Sequence, residues 1–202
     1  MKFALGRKLQ MTQLFDENGV VHPVTAVMLE PLKVTLLRTK DRDGYDAVQV
    51  QYGKQKKEQT AAEGKKKVSH KSVMKNRKEF RVPGEHTVGD QVGAIATFDA
   101  GDVVRVSATS KGKGFQGVVK RHGFAGGPRT HGQKHNERQP GSIGSGLRAR
   151  VPKGTRMAGR MGSDRVTVKG TKVVLVDKDQ GLLLLQGSIP GRRGTLVEIQ
   201  SV

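Results

Sequence analysis

The residues from Lys111 to Arg165 constrain this chain more than any other part of it. Glycine, proline and cationic side chains dominate the stretch, and Glu137 and Asp164 are its only acids. No apolar period of two or of 3.6 runs through it, so no strand or helix with a core-facing side can be written along it. Ordering a residue costs about 1–2 kcal/mol of backbone entropy. Buried apolar side chains cannot offset that cost here, whereas a polyanion could.

Composition supports the same direction. The 202 residues carry 37 Lys and Arg against 18 Asp and Glu, a formal net charge of +19. That surplus exceeds what solubility needs and points to a polyanionic partner. Hydrophobic residues make up 34%, so the core must be small and confined to part of the chain. With 4% aromatics and no Trp, stacking on an aromatic platform cannot be the main way of holding nucleic acid. The absence of cysteine excludes disulfides, thiolate metal sites and cysteine nucleophiles, and fits a reducing cytosol. Residues 1–8 hold no apolar run of signal-peptide length, and a run such as Leu182–Leu185 is far short of a membrane span. A cytoplasmic protein with no membrane partner is expected.

Outside the basic stretch the pattern is β. Phe3–Leu14 is mixed, with short apolar segments. Asp16-Glu17-Asn18-Gly19 marks a hairpin, because Asn and Gly tolerate positive φ. Val20–Val21, Val24–Glu30 and Lys33–Arg38 read as strands, followed by a turn at Asp41–Gly44. Ala47–Tyr52 alternates Val48, Val50 and Tyr52 against Gln49 and Gln51, the period of a half-buried strand. The first quarter is thus expected to be an antiparallel meander. Residues 53–80 form a Lys-rich, partly helical insertion whose end, Phe80–Val82, returns to the sheet. Ala94–Phe98 and Val103–Ala108 follow as strands. After the basic stretch come Arg165–Lys169, Lys172–Asp177, Leu182–Gly187 and Leu196–Gln200. The predicted fold is mainly β: one small barrel from residues 1–110 together with 165–202, carrying residues 111–164 as a long Gly-rich loop. A loop this long is functional or wrongly assigned. Out and back over about 25 residues each way, it reaches several tens of Å at ~3.3 Å per residue.

Enzymatic readings find little support. Gly112-Lys113-Gly114-Phe115-Gln116-Gly117 matches the dinucleotide G-x-G-x-x-G pattern, and Glu137 falls 20 residues beyond it. A dinucleotide site also needs a following helix and a second parallel strand, and the cations and glycines of residues 118–127 do not make that helix. Gly127–Lys134 resembles a phosphate-binding loop, but Gln133 stands at the required Lys and Lys134 at the required Ser or Thr. His131 and His135 have helical i, i+4 spacing for a metal, yet Gly132 argues against a helix. No metal, no cofactor and no small-molecule substrate is expected, and the protein is expected not to be an enzyme.

What remains is a cation array: Lys111, Lys113, Lys120, Arg121, Arg129, Lys134, Arg138, Arg148, Arg150, Lys153, Arg156, Arg160 and Arg165, with His122 and His131 as nucleic-acid-facing imidazoles. Arginine forks match phosphate oxygens and stack on bases. Gly112, Gly114, Gly117, Gly126, Gly127, Gly141, Gly144 and Gly159 would let the backbone approach RNA closely. Without a reader module, folded RNA shape is the expected target.

These residues resemble a known family. Thr109-Ser-Lys-Gly-Lys-Gly-Phe-Gln-Gly-Val118, Lys120-Arg-His-Gly-Phe-Ala-Gly-Gly-Pro128, Pro140-Gly-Ser-Ile-Gly144 and Lys153-Gly-Thr-Arg-Met-Ala-Gly159 together resemble the bacterial large-subunit ribosomal protein L-three family. Leu5–Phe15, Asp43–Gln49 and Gly187–Gly191 extend the resemblance to essentially the whole chain. It implies a translation-protein-type β-barrel, binding to large-subunit rRNA near its 3′ end, and an early role in ribosome assembly. It also implies that the tip of Gly126–Gly162 approaches the peptidyl transferase centre, with L-fourteen and L-nineteen as neighbouring proteins. The alternative expectation is a free basic RNA-binding protein or RNA chaperone. The chain departs from the family at Gln10, where Gly is usual, and at Ser145–Val151, which is one residue shorter. Some members carry a methylated Gln just after the Pro-Gly-Ser-Ile-Gly motif. No Gln occurs between Gly141 and Arg165, so that modification is expected to be absent.

Overall fold

The computed structural model describes residues 2–29, 31–52, 77–81, 86–92, 97–144, 146 and 150–202. The chain divides into two compact units, Met1–Thr109 with Arg165–Val202, and Ser110–Asp164.

The first unit is mainly β. β1 (Phe3–Phe15), β2 (Val21–Leu29), β7 (Val103–Thr109), β10 (Arg165–Asp177), β11 (Leu182–Gln186) and β12 (Leu196–Ser201) close a barrel in the order β1-β12-β7-β10-β11-β2. All six pairings are antiparallel. A closed barrel leaves no edge strand to aggregate. Four more strands, β3 (Leu32–Arg38), β4 (Ala47–Tyr52), β5 (Arg77–Phe80) and β6 (Gln91–Val92), form a separate antiparallel sheet in the order β5-β4-β3-β6. The barrel order explains how segments far apart in sequence share a core. β12 lies between β1 and β7, and β10 pairs with β7 across the whole of the second unit's sequence.

One hydrophobic cluster serves both sheets. Leu5, Val27, Val104, Val106, Val173, Leu183, Leu185, Val197 and Ile199 come from the barrel, and Leu32, Val34, Val48, Val50 and Phe80 from the four-stranded sheet. Phe3 of β1 stacks on Phe80 of β5 with ring centroids 4.7 Å apart, a pairing worth about 0.5–1.5 kcal/mol beyond area burial. Gly6 allows β1 to pass close to β2, since a Cβ there would lie 2.6 Å from the Met28 carbonyl oxygen. The buried Lys8 ammonium donates to the carbonyls of Ile189 (2.7 Å) and Gly191 (3.2 Å). Thr25 donates to the Gly187 carbonyl at 2.6 Å. The Gly187–Gly191 loop is thereby held against β1 and β2 by buried polar groups that are themselves satisfied.

Several sequence expectations need correction. The first quarter is not one meander: β1 and β2 belong to the barrel, and β3 and β4 to the second sheet. The chain changes sheet around Pro31, which has no N–H to give to a ladder. Phe3–Leu14, mixed in sequence with only short apolar segments, falls within a single 13-residue strand, Phe3–Phe15. It pairs first with β12 and then with β2, with a bulge between Lys8 and Met11. Residues Val21–Leu29 are likewise one strand, β2, continuous through Pro23, and Val20 lies outside it. Arg165–Lys169 and Lys172–Asp177 are also one strand, in which Gly170 (φ 76°) makes a bulge and not a turn. The turn at Asp41–Gly44 is a single helical turn, α1 (Lys40–Asp43), closed by Gly44 at φ 79°. The body of the Lys-rich insertion, residues 53–76, lies outside the described residues, as do Val82 and residues 94–96 of the expected strand Ala94–Phe98. Phe98 itself is buried in the core without belonging to a strand.

Candidate nucleic-acid interface

The second unit has almost no apolar interior. Among its described residues only Val118, 2% exposed, is a buried hydrophobic side chain. Burying one such side chain contributes about 1.5–3 kcal/mol, which offsets the ordering of one or two residues. Hydrogen bonds and glycine geometry shape the unit instead.

At its base, Ser110 N–H donates to the Asp164 carbonyl at 2.9 Å. β8 (Gly114–Gln116) and β9 (Gly159–Met161) form a two-stranded antiparallel ladder, with Gly114 opposite Met161, Phe115 opposite Arg160, and Gln116 opposite Gly159. Gly162 must be glycine, since it sits at φ 78° and a Cβ would lie 2.1 Å from the Lys111 carbonyl oxygen. A short helix, α2 (Val118–His122), follows β8 and ends at Gly123 in the left-handed region. Sequence reasoning left no helix at this point. The one that forms has five residues, and the strands beside it are antiparallel, so the parallel strand–helix–strand unit of a dinucleotide site is not built.

α2 is tied to the returning chain. Arg121 donates from its guanidinium to the Met157 carbonyl at 2.7 Å. His122 Nε2 lies 3.1 Å from the same oxygen. A carbonyl only accepts, so the Nε2 nitrogen carries the proton. Gly159 makes room for this clasp, because a Cβ there would lie 2.6 Å from an Arg121 guanidinium nitrogen. Further out, Gly127 N–H donates to the Glu137 carbonyl at 2.9 Å, and Arg129 pairs with the Glu137 carboxylate at 2.6 Å. Gly126, at φ 79°, would place a Cβ 2.0 Å from that same carbonyl oxygen.

The predicted site residues are distributed over this frame. Arg160 lies opposite Phe115 in the β8–β9 ladder, and the Lys113 N–H donates to the Met161 carbonyl at 2.9 Å. Lys111, Lys113, Lys120, Lys134, Arg138, Arg150, Lys153, Arg156 and Arg160 are all exposed. None has a carboxylate partner among the described residues, and Arg129 is the only described cation of the unit that has one. Arg148 lies outside the described residues. Arg165 belongs to the first unit, as the first residue of β10, and pairs with Glu198 of β12. His131 and His135 adopt left-handed backbone at φ 61° and 60° and not a helix, and among the described residues no group of His, Asp and Glu could hold a metal.

The glycines separate into two sets. Gly112, Gly126, Gly127 and Gly159 face atoms of their own unit at 3.0 Å or less from a notional Cβ. Gly114, Gly117, Gly141 and Gly144 face open space, and of these Gly117 and Gly144 also have unstrained φ. Among the described residues no internal contact explains glycine at those two positions.

Sequence reasoning missed Phe115, which is 76% exposed in the middle of β8. It also missed three carboxamides, Gln133, Asn136 and Gln139, around an open cleft near Phe124. Phe115 was visible as an aromatic between glycines, but its exposure depends on the ladder.

A closed antiparallel barrel that carries a coreless cationic unit between two adjacent strands defines a class of basic proteins with an inserted extension. Comparison with known proteins makes this specific. A sequence model of the family Ribosomal protein L3 matches residues 83–182. The Large ribosomal subunit protein uL3 of Herpetosiphon aurantiacus is 48% identical, over 96% of this chain and 93% of its own length. That of Leifsonia xyli is 44% identical, over 98% and 92%. The Large ribosomal subunit protein uL3c of Guillardia theta is 44% identical, over 97% and 98%. The chain belongs to the ribosomal protein L3 family, a family of large-subunit ribosomal proteins. Among the described residues no helix is long and apolar enough to cross a membrane.

Proposed function

We propose that the protein is a structural component of the large ribosomal subunit that binds its rRNA through the Ser110–Asp164 unit. One observation carries the reading. Among the described residues of that unit, every Lys and Arg except Arg129 lacks a carboxylate partner and only Val118 is a buried hydrophobic side chain. Such a unit gains order from phosphates that neutralise it, and the counterions those phosphates release supply the free energy. The protein then works by shaping RNA and not by catalysis.

The motifs Lys120–Pro128, Pro140–Gly144 and Lys153–Gly159 support the finer reading. It places the binding site near the 3′ end of the large-subunit rRNA, early in assembly, with Gly126–Gly162 directed toward the peptidyl transferase centre. L-fourteen and L-nineteen are the expected neighbours, in the cytoplasm. The chain has no cysteine, so Ile143→Cys offers a single attachment point for an iron chelate within the unit. Hydroxyl-radical cleavage of rRNA around the peptidyl transferase centre is the expected result, and cleavage confined to remote helices would refute the placement.

Binding itself is tested with transcribed large-subunit rRNA at 50 and 200 mM salt. If 6–10 phosphates are engaged, affinity falls about 10³- to 10⁵-fold between the two. Equal affinity for unrelated RNAs would favour a free RNA chaperone instead.

A further inference from the structure

Within the second unit, residues 124–141 enclose an open cleft of about 670 Å³, whose lining includes Phe124, Gly126, Gly127, Gln133, Asn136 and Gln139. That volume is within the range of sites that hold small organic groups, about 300–1,000 Å³. We propose that this cleft receives a single unstacked base of the bound RNA, with adenine the best match. The inference rests on the rRNA-binding reading above and adds a base-reading site to it.

No carboxylate, ammonium or guanidinium lines the cleft. Arg129, Lys134 and Arg138 flank its lining residues in sequence. A phosphate offers only acceptors and negative charge, so it is drawn to those cations and not to the neutral cleft. A base edge offers donors and acceptors together, which is what a carboxamide matches. The Gln133 and Asn136 side chains have no hydrogen-bond partner among the described residues, so both amides are open to a ligand. Gln139 is fixed, its amide donating to the His135 carbonyl at 3.0 Å, which leaves its side-chain oxygen free to accept. Adenine presents an amino donor beside a ring-nitrogen acceptor, the pair that Asn and Gln read bidentately. Phe124 supplies an aromatic face at the cleft and is half-buried, its ring centroid 6.0 Å from that of His122. Bases stack on such rings whatever their sequence.

The cleft exists before any ligand arrives. Gly126 and Gly127 run so close to residues 136 and 137 that a Cβ would lie 2.0 Å from the Glu137 carbonyl oxygen and 3.0 Å from that of Asn136. The Gly127–Glu137 hydrogen bond and the Arg129–Glu137 ion pair hold the two sides together. A preformed site avoids paying ordering entropy at the moment of binding.

The test uses the full-length protein, as wild type and as the double variant Gln133→Ala/Asn136→Ala, with transcribed large-subunit rRNA. The variant is expected to bind about 5- to 150-fold more weakly at every salt concentration, as for the loss of one bidentate base contact. Its salt slope should be unchanged, since the phosphate contacts remain. In the wild-type complex, the N7 of one unpaired adenine should be protected from diethyl pyrocarbonate, and the variant should restore its reactivity. If the wild-type protein protects no unpaired base, or if the variant keeps both affinity and protection, the cleft is not a base site. Stabilisation of the free protein by micromolar adenosine monophosphate would make it a free-nucleotide site and overturn the assignment to RNA. Failure of wild-type protein to bind rRNA would overturn the parent reading, a result distinct from all of these.

Discussion

Phe115 lies directly opposite Arg160 across the β8–β9 ladder, and both side chains are exposed. In an antiparallel pair such residues have their Cβ atoms about 4.5–5.5 Å apart. The Phe115 ring is 76% exposed to solvent, so a face of it is open to a stacked base. A base stacked on the ring, with the adjacent guanidinium on its phosphate, satisfies both groups at once. Phe115→Ala is therefore expected to weaken rRNA binding by about 1–3 kcal/mol, the usual loss for one stacked base. Arg160→Gln should reduce the salt slope by about one. Filter binding over a salt series separates the two effects, and an unaltered affinity for Phe115→Ala would remove the ring from the interface.

Gly126 tests whether the unit's shape is set by its own chain. Alanine there would hold left-handed backbone at a cost of about 1–2 kcal/mol. Its Cβ would also sit 2.0 Å from the Glu137 carbonyl oxygen, a backbone atom that cannot swing aside. Gly126→Ala should break the Gly127–Glu137 hydrogen bond, seen as faster amide exchange at Gly127, while the barrel melts at its usual temperature. Gly117→Ala and Gly144→Ala face open space and should leave exchange unchanged. If all three behave alike, the close packing around Gly126 does not shape the unit.

What the sequence made legible follows from how local each signal is. Ala47–Tyr52 could be bounded correctly because its alternation is written in consecutive residues, and the turn at Asn18-Gly19 because glycine marks it locally, although only Gly19 (φ 75°) and not Asn18 takes positive φ. The outer half of β1 is exposed at almost every position, so no alternation marks it, and its strand character comes from β2, which is distant in pattern though near in sequence. Gly170 has the backbone freedom of a turn, and only pairing with β7 shows that the strand continues through it. In the second unit the cations were legible because charge needs no context. The clasp of Arg121 and His122 on Met157 was not, since its acceptor is a backbone carbonyl that no residue pattern displays. The carboxamide cleft was missed for a related reason, being assembled from residues whose polarity alone suggests only solvent.

Acid should loosen the first unit before neutral or mildly alkaline pH does. The Arg38 guanidinium bonded to Asp43 holds that carboxyl below its ordinary value. Glu79 is lowered by hydrogen bonds from the Gln49 amide and the Tyr45 hydroxyl, and by Arg38. Lys2 and the Asp99 backbone N–H lower Asp102, while Lys2 is itself raised. A carboxyl depressed in the folded state contributes stability above its unfolded value, and that contribution is lost as pH falls through the folded value. The Lys2 contribution is present below the ordinary lysine value and is lost as pH rises through its raised one. Thermal midpoints measured downward from about pH 5 should fall, and Asp43→Asn should flatten that fall. These groups sit at the surface of the unit and are at most partly buried, so each effect is modest. An acid limb no flatter in Asp43→Asn would dissociate the Arg38–Asp43 pair from stability.

Removing the extension should leave the barrel intact. Val118 is the only buried hydrophobic residue described between Ser110 and Asp164, and all the members of the main core cluster lie outside that segment. The strands that flank it, β7 and β10, pair with each other from Val103 opposite Lys172 to Thr109 opposite Arg165, and each has a second barrel partner, β12 and β11. A shorter connection between them costs little, since loop-closure entropy changes by only about 0.6 kcal/mol per twofold change in length. Deleting Phe124–Met161 also removes β9, so β8 loses its ladder, but no barrel pairing depends on β8. The deletion protein should keep the β circular-dichroism signal and melt within a few degrees of the full chain. Its rRNA affinity should fall by orders of magnitude, because the deleted residues carry Arg129, Lys134, Arg138, Arg150, Lys153, Arg156 and Arg160. Collapse of the β signal would show that the barrel needs the extension to fold. An unchanged rRNA affinity would place the binding surface on the barrel instead.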